Sequence, residues 1–154
     1  MITAICVART SGISEQQNIV YREDPSPDAP TPQPPQAEPW EALRSIEVLP
    51  TSTLLFRYSA MTFNGHRIHY DKAYAIGTEG YTGLVVHGPL QSTWMQILAA
   101  QILKRLPQDF TYRGLSPLIC DRPAVVEARE VEGKLALRVR DLEANVVTME
   151  AQAV

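Results

Sequence analysis

One apolar segment constrains the fold of this chain more than any other. Residues 89–106, PLQSTWMQILAAQILKRL, have the three-and-four spacing of a helix, but apolar side chains cover most of its circumference. The predicted boundaries are an N-cap at Gly88 and a stop at Pro107, with Pro89 in the first turn and Lys104 in the last. Such a helix should be largely buried, so the chain has to supply a sheet that surrounds it.

Four strand-like runs follow this helix and can provide that cover. They are FTYRGL, PAVVEARE, KLALRVRD and NVVTMEAQ, at residues 110–115, 123–130, 134–141 and 145–152. The dipeptide Glu132-Gly133 is typical of a tight turn, and LALRVR alternates apolar and polar residues as a half-exposed strand does. The predicted fold is α+β, with an antiparallel meander wrapped around one long central helix.

The region before residue 40 differs from the rest of the chain. ITAICVA and QNIVYR, at residues 2–8 and 17–22, are β-prone and predict a hairpin. Residues 24–39 hold seven of the 12 prolines, which lack the N–H needed for a strand ladder and favour an extended linker. The predicted organisation is a hairpin over 1–23, a linker over 24–39 and the main domain over 40–154.

Two short helices are predicted between the linker and the long helix. The first has one apolar face, after an N-cap at Thr51 or Ser52, made of Leu54, Leu55, Tyr58 and Met61. The second is KAYA, which Asp71 caps and Gly77 ends.

Composition and charge narrow the class of function. A hydrophobic share of 45% and a charged share of 20% over 154 residues indicate a globular protein of about one domain. The net charge of -3 with scattered basic residues argues against a nucleic-acid partner. Cys6 and Cys120 form no metal-binding or disulfide pattern. Neither a signal-peptide pattern nor a membrane-spanning run is present, so the expected location is the cytoplasm, without a membrane partner.

All three histidines of the chain, His66, His69 and His87, fall in one region. A neutral imidazole can accept a proton and return it near neutral pH, which makes His69 a candidate acid–base group. Asn64 precedes it by five residues in NGHRIHYD, and its amide can hold a water against the imidazole. The alternative is a hydrogen-bonded structural histidine, with Asn64 beside Gly65 as ordinary turn chemistry.

The sequence VVHGP offers a second chemical feature, the start of the long helix. Free N–H groups and the positive end of the helix dipole can polarise a thioester carbonyl and stabilise an enolate-like oxygen. Pro89 has no N–H, so the donors must come from Gly88 and the rest of the first turn. The alternative is that Gly-Pro simply opens a structural helix.

Metal and phosphate binding are weaker hypotheses. His66 and His69, with His87 and Asp71, have the residue types of a zinc site, but there is no second ligand pair, so neither a metal nor a cofactor is expected. Arg67 and Arg57 are candidates for the phosphates of a coenzyme, although isolated arginines near loops are commonly solvated or paired on the surface.

A longer match brings these features together. LLFRYSAMTFNGHRIHYDKAYA followed by EGYTGLVVHGPLQSTWM, within residues 50–106, closely resembles the catalytic half of MaoC-like hydratases and dehydratases. More narrowly, it resembles the branch with itaconyl-CoA and mesaconyl-CoA hydratases and fungal mitochondrial 3-hydroxyacyl-thioester dehydratases. The resemblance implies a hot-dog fold and reversible addition of water to the double bond of an enoyl thioester, usually of coenzyme A.

The resemblance also implies roles for individual residues. The wider family has an Asp and, five residues later, a His; here Asn64 takes the Asp position and His69 the His position. His69 is then the acid–base group and Asn64 orients water, while Gly88 and His87 are the candidate thioester-binding positions. Proton transfer is assigned to neither His66 nor His87.

Residues 2–23 resemble the last strands of a preceding hot-dog half. This resemblance implies a homodimer or heterodimer of hot-dog chains. The alternative function is a non-catalytic acyl-CoA-binding subunit of a heteromeric dehydratase, and a thioesterase on the same fold is a third possibility.

Overall fold

The computed structural model describes residues 2–10, 12–21, 34 and 36–154. The chain forms two compact units, Met1–Gln33 and Pro34–Val154. In the first, strands β1 (Ile2–Thr10) and β2 (Ile13–Tyr21) pair antiparallel along their whole length. The predicted hairpin is therefore present, with longer strands than the sequence pattern indicated.

Most of the predicted proline-rich linker, at residues 24–33 and 35, lies outside the described residues. The described end of this segment is attached to the second unit. Gln36 forms an antiparallel bridge with Val146, and the N–H of Ala37 donates to the carbonyl of Asn145 at 2.9 Å.

The second unit is built on a five-stranded antiparallel sheet. Its strands are β3 (Arg44–Val48), β4 (Phe110–Gly114), β5 (Ala124–Val131), β6 (Lys134–Asp141) and β7 (Val146–Ala153). The order across the sheet is β3-β5-β6-β7-β4. The turn between β5 and β6 uses Glu132 and Gly133 with φ of 51° and 76°, the left-handed backbone that a tight hairpin requires.

Two features of this sheet differ from the sequence prediction. Strands β5, β6 and β7 form the expected meander, but β4 pairs with β7 because β3 and β6 occupy both edges of β5. Strand β3 was not predicted at all. It is a five-residue edge strand with mostly exposed side chains, so its sequence RSIEV carries little apolar signal.

Helix α3 (Gly88–Leu103) packs across the inner face of this sheet, in contact with all five strands. The alternation along the strands separates the two faces: the stacked residues Val126, Val139 and Met149 are buried on the helix side. The prediction of one long, largely buried helix surrounded by antiparallel strands is confirmed. In the described part of the chain, no helix has the length and apolar character needed to cross a bilayer.

The boundaries and the exposed side of α3 correct the prediction. His87 is the N-cap rather than Gly88, which is the first helical residue. The helix ends at Leu103, because Lys104 adopts a left-handed backbone with φ of 57°. Ile97 is 47% exposed, so the apolar circumference is not fully covered within the described chain.

Helices α1 (Ser52–Thr62) and α2 (Lys72–Gly77) precede α3 and carry the predicted caps. The Thr51 hydroxyl accepts from a backbone N–H of the first turn of α1, and the Asp71 carboxylate does the same for α2. The buried face of α1 contains Leu55 and Ser59. Met61 was predicted on this face, but it is 79% exposed, so that part of the prediction is wrong.

Candidate active site

The three imidazoles form a row at the start of α3. The ring of His66 stands edge-on to the ring of His69, with centroids 5.6 Å apart. The ring of His69 stacks on that of His87 at 3.7 Å and 17°. Nε2 of His87 is hydrogen-bonded to Ser59 Oγ at 2.8 Å. The row connects the loop after α1 with the residue that precedes α3.

Backbone pairing fixes His69 within this row. It ends a short 3₁₀ turn, Arg67–His69, that the sequence had predicted only as a loop between helices. The N–H of Val85 donates to the carbonyl of Ile68 at 3.0 Å, and Nδ1 of His69 lies 2.7 Å from the carbonyl of Val85. Val85 in turn bridges to Ile119, so the loop is attached to the chain that leads into the sheet.

The hydrogen bond at Nδ1 determines which nitrogen of His69 can act as a base. A carbonyl only accepts, so Nδ1 carries the proton and Nε2 has a lone pair. No described residue is hydrogen-bonded to Nε2. Burial lowers the pKa of His69 and the neighbouring His66 lowers it further, against the raising effect of the bond to Val85. His69 is therefore neutral at pH 7 and able to take a proton.

His87 is enclosed on every side. Its side chain lies between His69 and Tyr58, whose ring centroid is 4.8 Å away, and only 1% of the residue is exposed. Burial, together with the charge that His69 would carry, lowers the pKa of His87 to about 4. Nε2 is bonded to Ser59, and Nδ1 is buried without a partner. With neither nitrogen open, the geometry favours a supporting role for this ring over the predicted direct contact with a thioester.

Asn64 combines the two predicted roles, turn residue and candidate water ligand. Its Oδ1 accepts the backbone N–H of His66 at 2.9 Å, which is turn chemistry. Its amide NH₂ has no partner among the described residues. Asn64, Ser59 and Tyr70 bring polar groups to a cleft of about 310 Å³ that Phe56 and Phe63 also line. The amide group is thus available to a water or hydroxyl.

The N-terminus of α3 adjoins the imidazole row. The helix begins at Gly88, directly after His87, and no side chain caps it. The N–H groups of Gly88 and Leu90 lie within the first turn and have no acceptor inside the helix. A Cβ added at Gly88 would lie 3.5 Å from the Met149 side chain, an ordinary contact. The predicted oxyanion donors are therefore next to the candidate base.

Arg67 does not present a free guanidinium for a coenzyme phosphate. Its Nη2 and Nε lie 2.7 Å and 3.1 Å from the same carboxylate oxygen of Asp71, and the group stacks over the Tyr74 ring at 4.1 Å. Asp71 also caps α2. Among the residues that the structure describes, no group of three or more His, Cys, Asp or Glu side chains is arranged to hold a metal ion.

Two contributors were missed from the sequence. Ser59 was not predicted as a site residue. A polar residue one turn after Leu55, on the buried face of a helix, is nevertheless a sequence pattern that indicates a buried hydrogen bond. The carbonyl of Val85 has no signal in the sequence, because any residue type provides one.

Comparisons with known proteins give the family context. The sequence profile of the family described as hydroxyacyl-thioester dehydratase type 2 matches residues 4–120. Mesaconyl-C(4)-CoA hydratase from Chloroflexus aurantiacus is 45% identical over 117 residues, which are 76% of this chain and 41% of that protein. The mitochondrial hydroxyacyl-thioester dehydratase type 2 of Schizosaccharomyces pombe is 38% identical over 77 residues, 48% of this chain and 26% of that one. The chain thus spans less than half the length of either relative.

The fold has a solved counterpart. HtdX from Mycobacterium tuberculosis superimposes with a TM-score of 0.67 at 20% identity, covering 91% of this chain and 54% of that one. At this identity the likeness concerns the fold, and the predicted hot-dog architecture is confirmed.

Proposed function

This chain belongs to the hydroxyacyl-thioester dehydratase type 2 family, and on that premise we propose that it is a hydro-lyase acting on coenzyme A thioesters. It would hydrate an enoyl-CoA and dehydrate the 3-hydroxyacyl-CoA. One observation carries the proposal: His69 has its Nδ1 held by the Val85 carbonyl, which leaves Nε2 as a base beside an uncapped helix N-terminus.

The chemistry follows from these positions. In hydration, a water oxygen forms a bond to the β carbon while Nε2 of His69 removes a proton from that water. The thioester oxygen gains negative charge as an enolate, and the Gly88 N–H stabilises it by a hydrogen bond. The imidazolium then returns a proton to the α carbon, and dehydration is the reverse. The amide of Asn64 orients the water by donating to its oxygen, since its own oxygen is engaged by the His66 N–H.

The acyl group and the location are narrower proposals. Identity of 45% to a mesaconyl-C(4)-CoA hydratase favours a short dicarboxylic acyl-CoA such as mesaconyl- or itaconyl-CoA. Arg67 remains the candidate for coenzyme phosphate, through its exposed face. We place the reaction in the cytoplasm, the expectation from the sequence, although the fungal relatives are named as mitochondrial.

Pairing with a second hot-dog chain, the same or different, is also proposed. Residues 1–23 are proposed as the end of a preceding hot-dog half and 40–154 as the catalytic domain. Exposed apolar side chains support the pairing: Phe56, Met61 and Phe63 are 61%, 79% and 95% exposed around the C-terminal end of α1. Light scattering of the purified chain would give a dimer mass, and a strictly monomeric chain would leave only a heteromeric partner.

A second candidate is a non-catalytic acyl-CoA-binding subunit. It is favoured by Asn64, because an amide cannot accept the proton that a carboxylate at this position would take.

The deciding experiment follows the loss of enoyl-thioester absorbance for crotonyl-CoA and mesaconyl-CoA. We expect turnover by the wild type and a decrease in kcat of about 10³-fold in His69→Ala, in the range for a lost general base. His66→Ala, at the exposed end of the same row, should lose far less. Turnover of His69→Ala at the wild-type rate would remove His69 from the mechanism, whereas binding without turnover by the wild type would favour the second candidate.

A further inference from the structure

The contacts of His87 exceed what a packing residue needs. The side chain is 1% exposed, yet it is polar, bonded through Nε2 to the buried Ser59 and stacked face to face on His69. A Phe or Leu would fill the same space without the energetic cost of burying two ring nitrogens. The hydrogen bond between α1 and the residue before α3 therefore suggests a requirement for one particular ring orientation.

The orphaned nitrogen indicates the protonation state of this ring. Nδ1 of His87 is buried without a partner, and a buried N–H without an acceptor is a costly arrangement. The neutral ring avoids it by carrying its proton on Nε2 and donating to Ser59 Oγ. The tautomer of His87 thus depends on one hydroxyl group.

We propose that Ser59 and His87 are a positioning pair for His69: the hydroxyl fixes the orientation of the His87 ring, and that ring is the flat surface on which the catalytic imidazole stacks. The inference rests on the proposed hydro-lyase function. In this arrangement His87 supports the base and does not contact substrate, and Ser59 acts by orienting His87.

The stack has a consequence for proton transfer. His69 is held in its plane by the Val85 carbonyl at one edge and by His87 on one face, so Nε2 keeps one direction. The titratable groups that face His69 and His87 are His66, next to His69, and Tyr58, next to His87. A neutral His87 tolerates the imidazolium that forms at His69 during turnover, whereas a charged one would repel it across 3.7 Å.

The first test observes the imidazole nitrogens directly by NMR of the unliganded, ¹⁵N-histidine-labelled chain. In the wild type, His87 should show the Nε2–H tautomer and His69 the Nδ1–H tautomer. In Ser59→Ala, His87 should become a mixture of tautomers. The titration of His69 should move upward toward 6.5, because a looser stack exposes the ring and relieves the burial that lowers its pKa. Ser52→Ala removes an exposed hydroxyl from the same helix and should change neither signal.

The second test separates kcat from KM. Ser59→Ala should lower kcat by about 10-fold through misorientation of the base, with KM changed by less than about twofold. Ser59→Thr, which keeps the hydroxyl, should restore most of the loss. At position 87, His87→Gln keeps a donor for Ser59 without the ring and His87→Phe keeps the ring without the donor. Each should be slower than the wild type.

The outcomes are distinguishable from failure of the proposed function. A wild type that turns over no thioester would refute the hydro-lyase proposal, while the NMR measurements would still decide whether Ser59 and His87 position His69. Unchanged His69 and His87 signals in Ser59→Ala would overturn the pair. So would His87→Phe with wild-type kcat and an unaltered pH profile, since the nitrogen would then be irrelevant.

Discussion

The two faces of the sheet bury titratable groups in opposite ways. On the helix side, the imidazoles of His69 and His87 are buried and neutral. On the outer side, Glu127 and Arg138 are each 7% exposed and charged, joined by a 2.7 Å bond from Arg138 Nε to a carboxylate oxygen. Arg140 donates from Nη2 to the other oxygen at 3.0 Å.

A backbone carbonyl and an aromatic ring also contact the arginines of the outer cluster. Nη1 of Arg138 donates to the carbonyl of Glu38 at 2.8 Å, and the Trp40 ring lies against the guanidiniums of Arg129 and Arg138 at 4.2 Å each. Burial alone would raise the pKa of the Glu127 carboxyl, but the bonds from Arg140 and Arg138 outweigh it and lower that pKa.

The difference between the two faces lies in whether a buried titratable group is paired within the protein. On the outer face, the Glu127 carboxylate accepts from Arg138 and Arg140, and Arg138 also donates to a backbone carbonyl, so the buried charges stabilise one another. The imidazole row keeps one nitrogen of His69 without a protein partner and keeps the ring neutral. Similar burial therefore gives a structural ion cluster on one face and a candidate base on the other.

The largest effect on this contrast should come from Glu127→Ala. It leaves Arg138 buried without a carboxylate, for which a decrease in the free energy of unfolding of about 3–5 kcal/mol is expected. Urea denaturation measures it, and Glu130→Ala, exposed on the same strand, is the control. The rate per folded molecule should not change. A stable Glu127→Ala chain would mean that the outer charges are solvated in solution.

Asn64→Ala should have the next largest effect, on the opposite face. Loss of the water-orienting amide and of the acceptor for the His66 N–H should lower kcat by about 10- to 100-fold. Asn64→Asp preserves the acceptor and is the matched variant for the turn. If steady-state kinetics give Asn64→Ala a normal kcat, Asn64 is a turn residue and nothing more.

The two faces should also differ in pH dependence. His87 has a folded pKa of about 4 against 6.5 when unfolded, so the unfolded chain binds the proton first as pH falls. The free energy of unfolding should therefore decrease from about pH 6.5 toward pH 4. Glu127, with a pKa below its ordinary 4.5, should lose its contribution only below about pH 4.5. Denaturation of His87→Gln over this range should show a smaller decrease, with the remainder due to His69, whose pKa is also lowered; an undiminished decrease would assign it to other groups.

The same reasoning applies to activity. Because the pKa of His69 is lowered, the acid limb of kcat/KM should have its midpoint below 6.5. A midpoint above 6.5 would indicate that substrate or a partner chain places negative charge beside His69.

Arg67→Ala should have the smallest effect. Its guanidinium is exposed and already paired with Asp71. Loss of its contact with a coenzyme phosphate should therefore raise KM only a few-fold and leave kcat unaltered. Arg57→Ala, at an exposed position of α1, is the comparison, since Arg57 is the other arginine considered for the phosphates. Equal KM values for both variants and the wild type would remove Arg67 from coenzyme binding.

The sequence alone determined the parts that depend on local pattern. The period of apolar residues predicted α3 and strands β5 to β7, the caps at Thr51 and Asp71 predicted α1 and α2, and the motif at Asn64 and His69 indicated the reaction class by resemblance. Such signals are short-range, because caps and turns depend on neighbouring residues and binary patterns repeat within one element.

Only the tertiary structure decided which residues meet. The stacking of His69 on His87, the contact of His87 with Ser59 and the bond from Arg138 to the Glu38 carbonyl join residues that are far apart in the chain. The same holds for β4, which pairs with β7 because both edges of β5 are taken. The physical reason is that pKa shifts, tautomers and strand order depend on burial and on the nearest neighbour in space, and a linear pattern specifies neither.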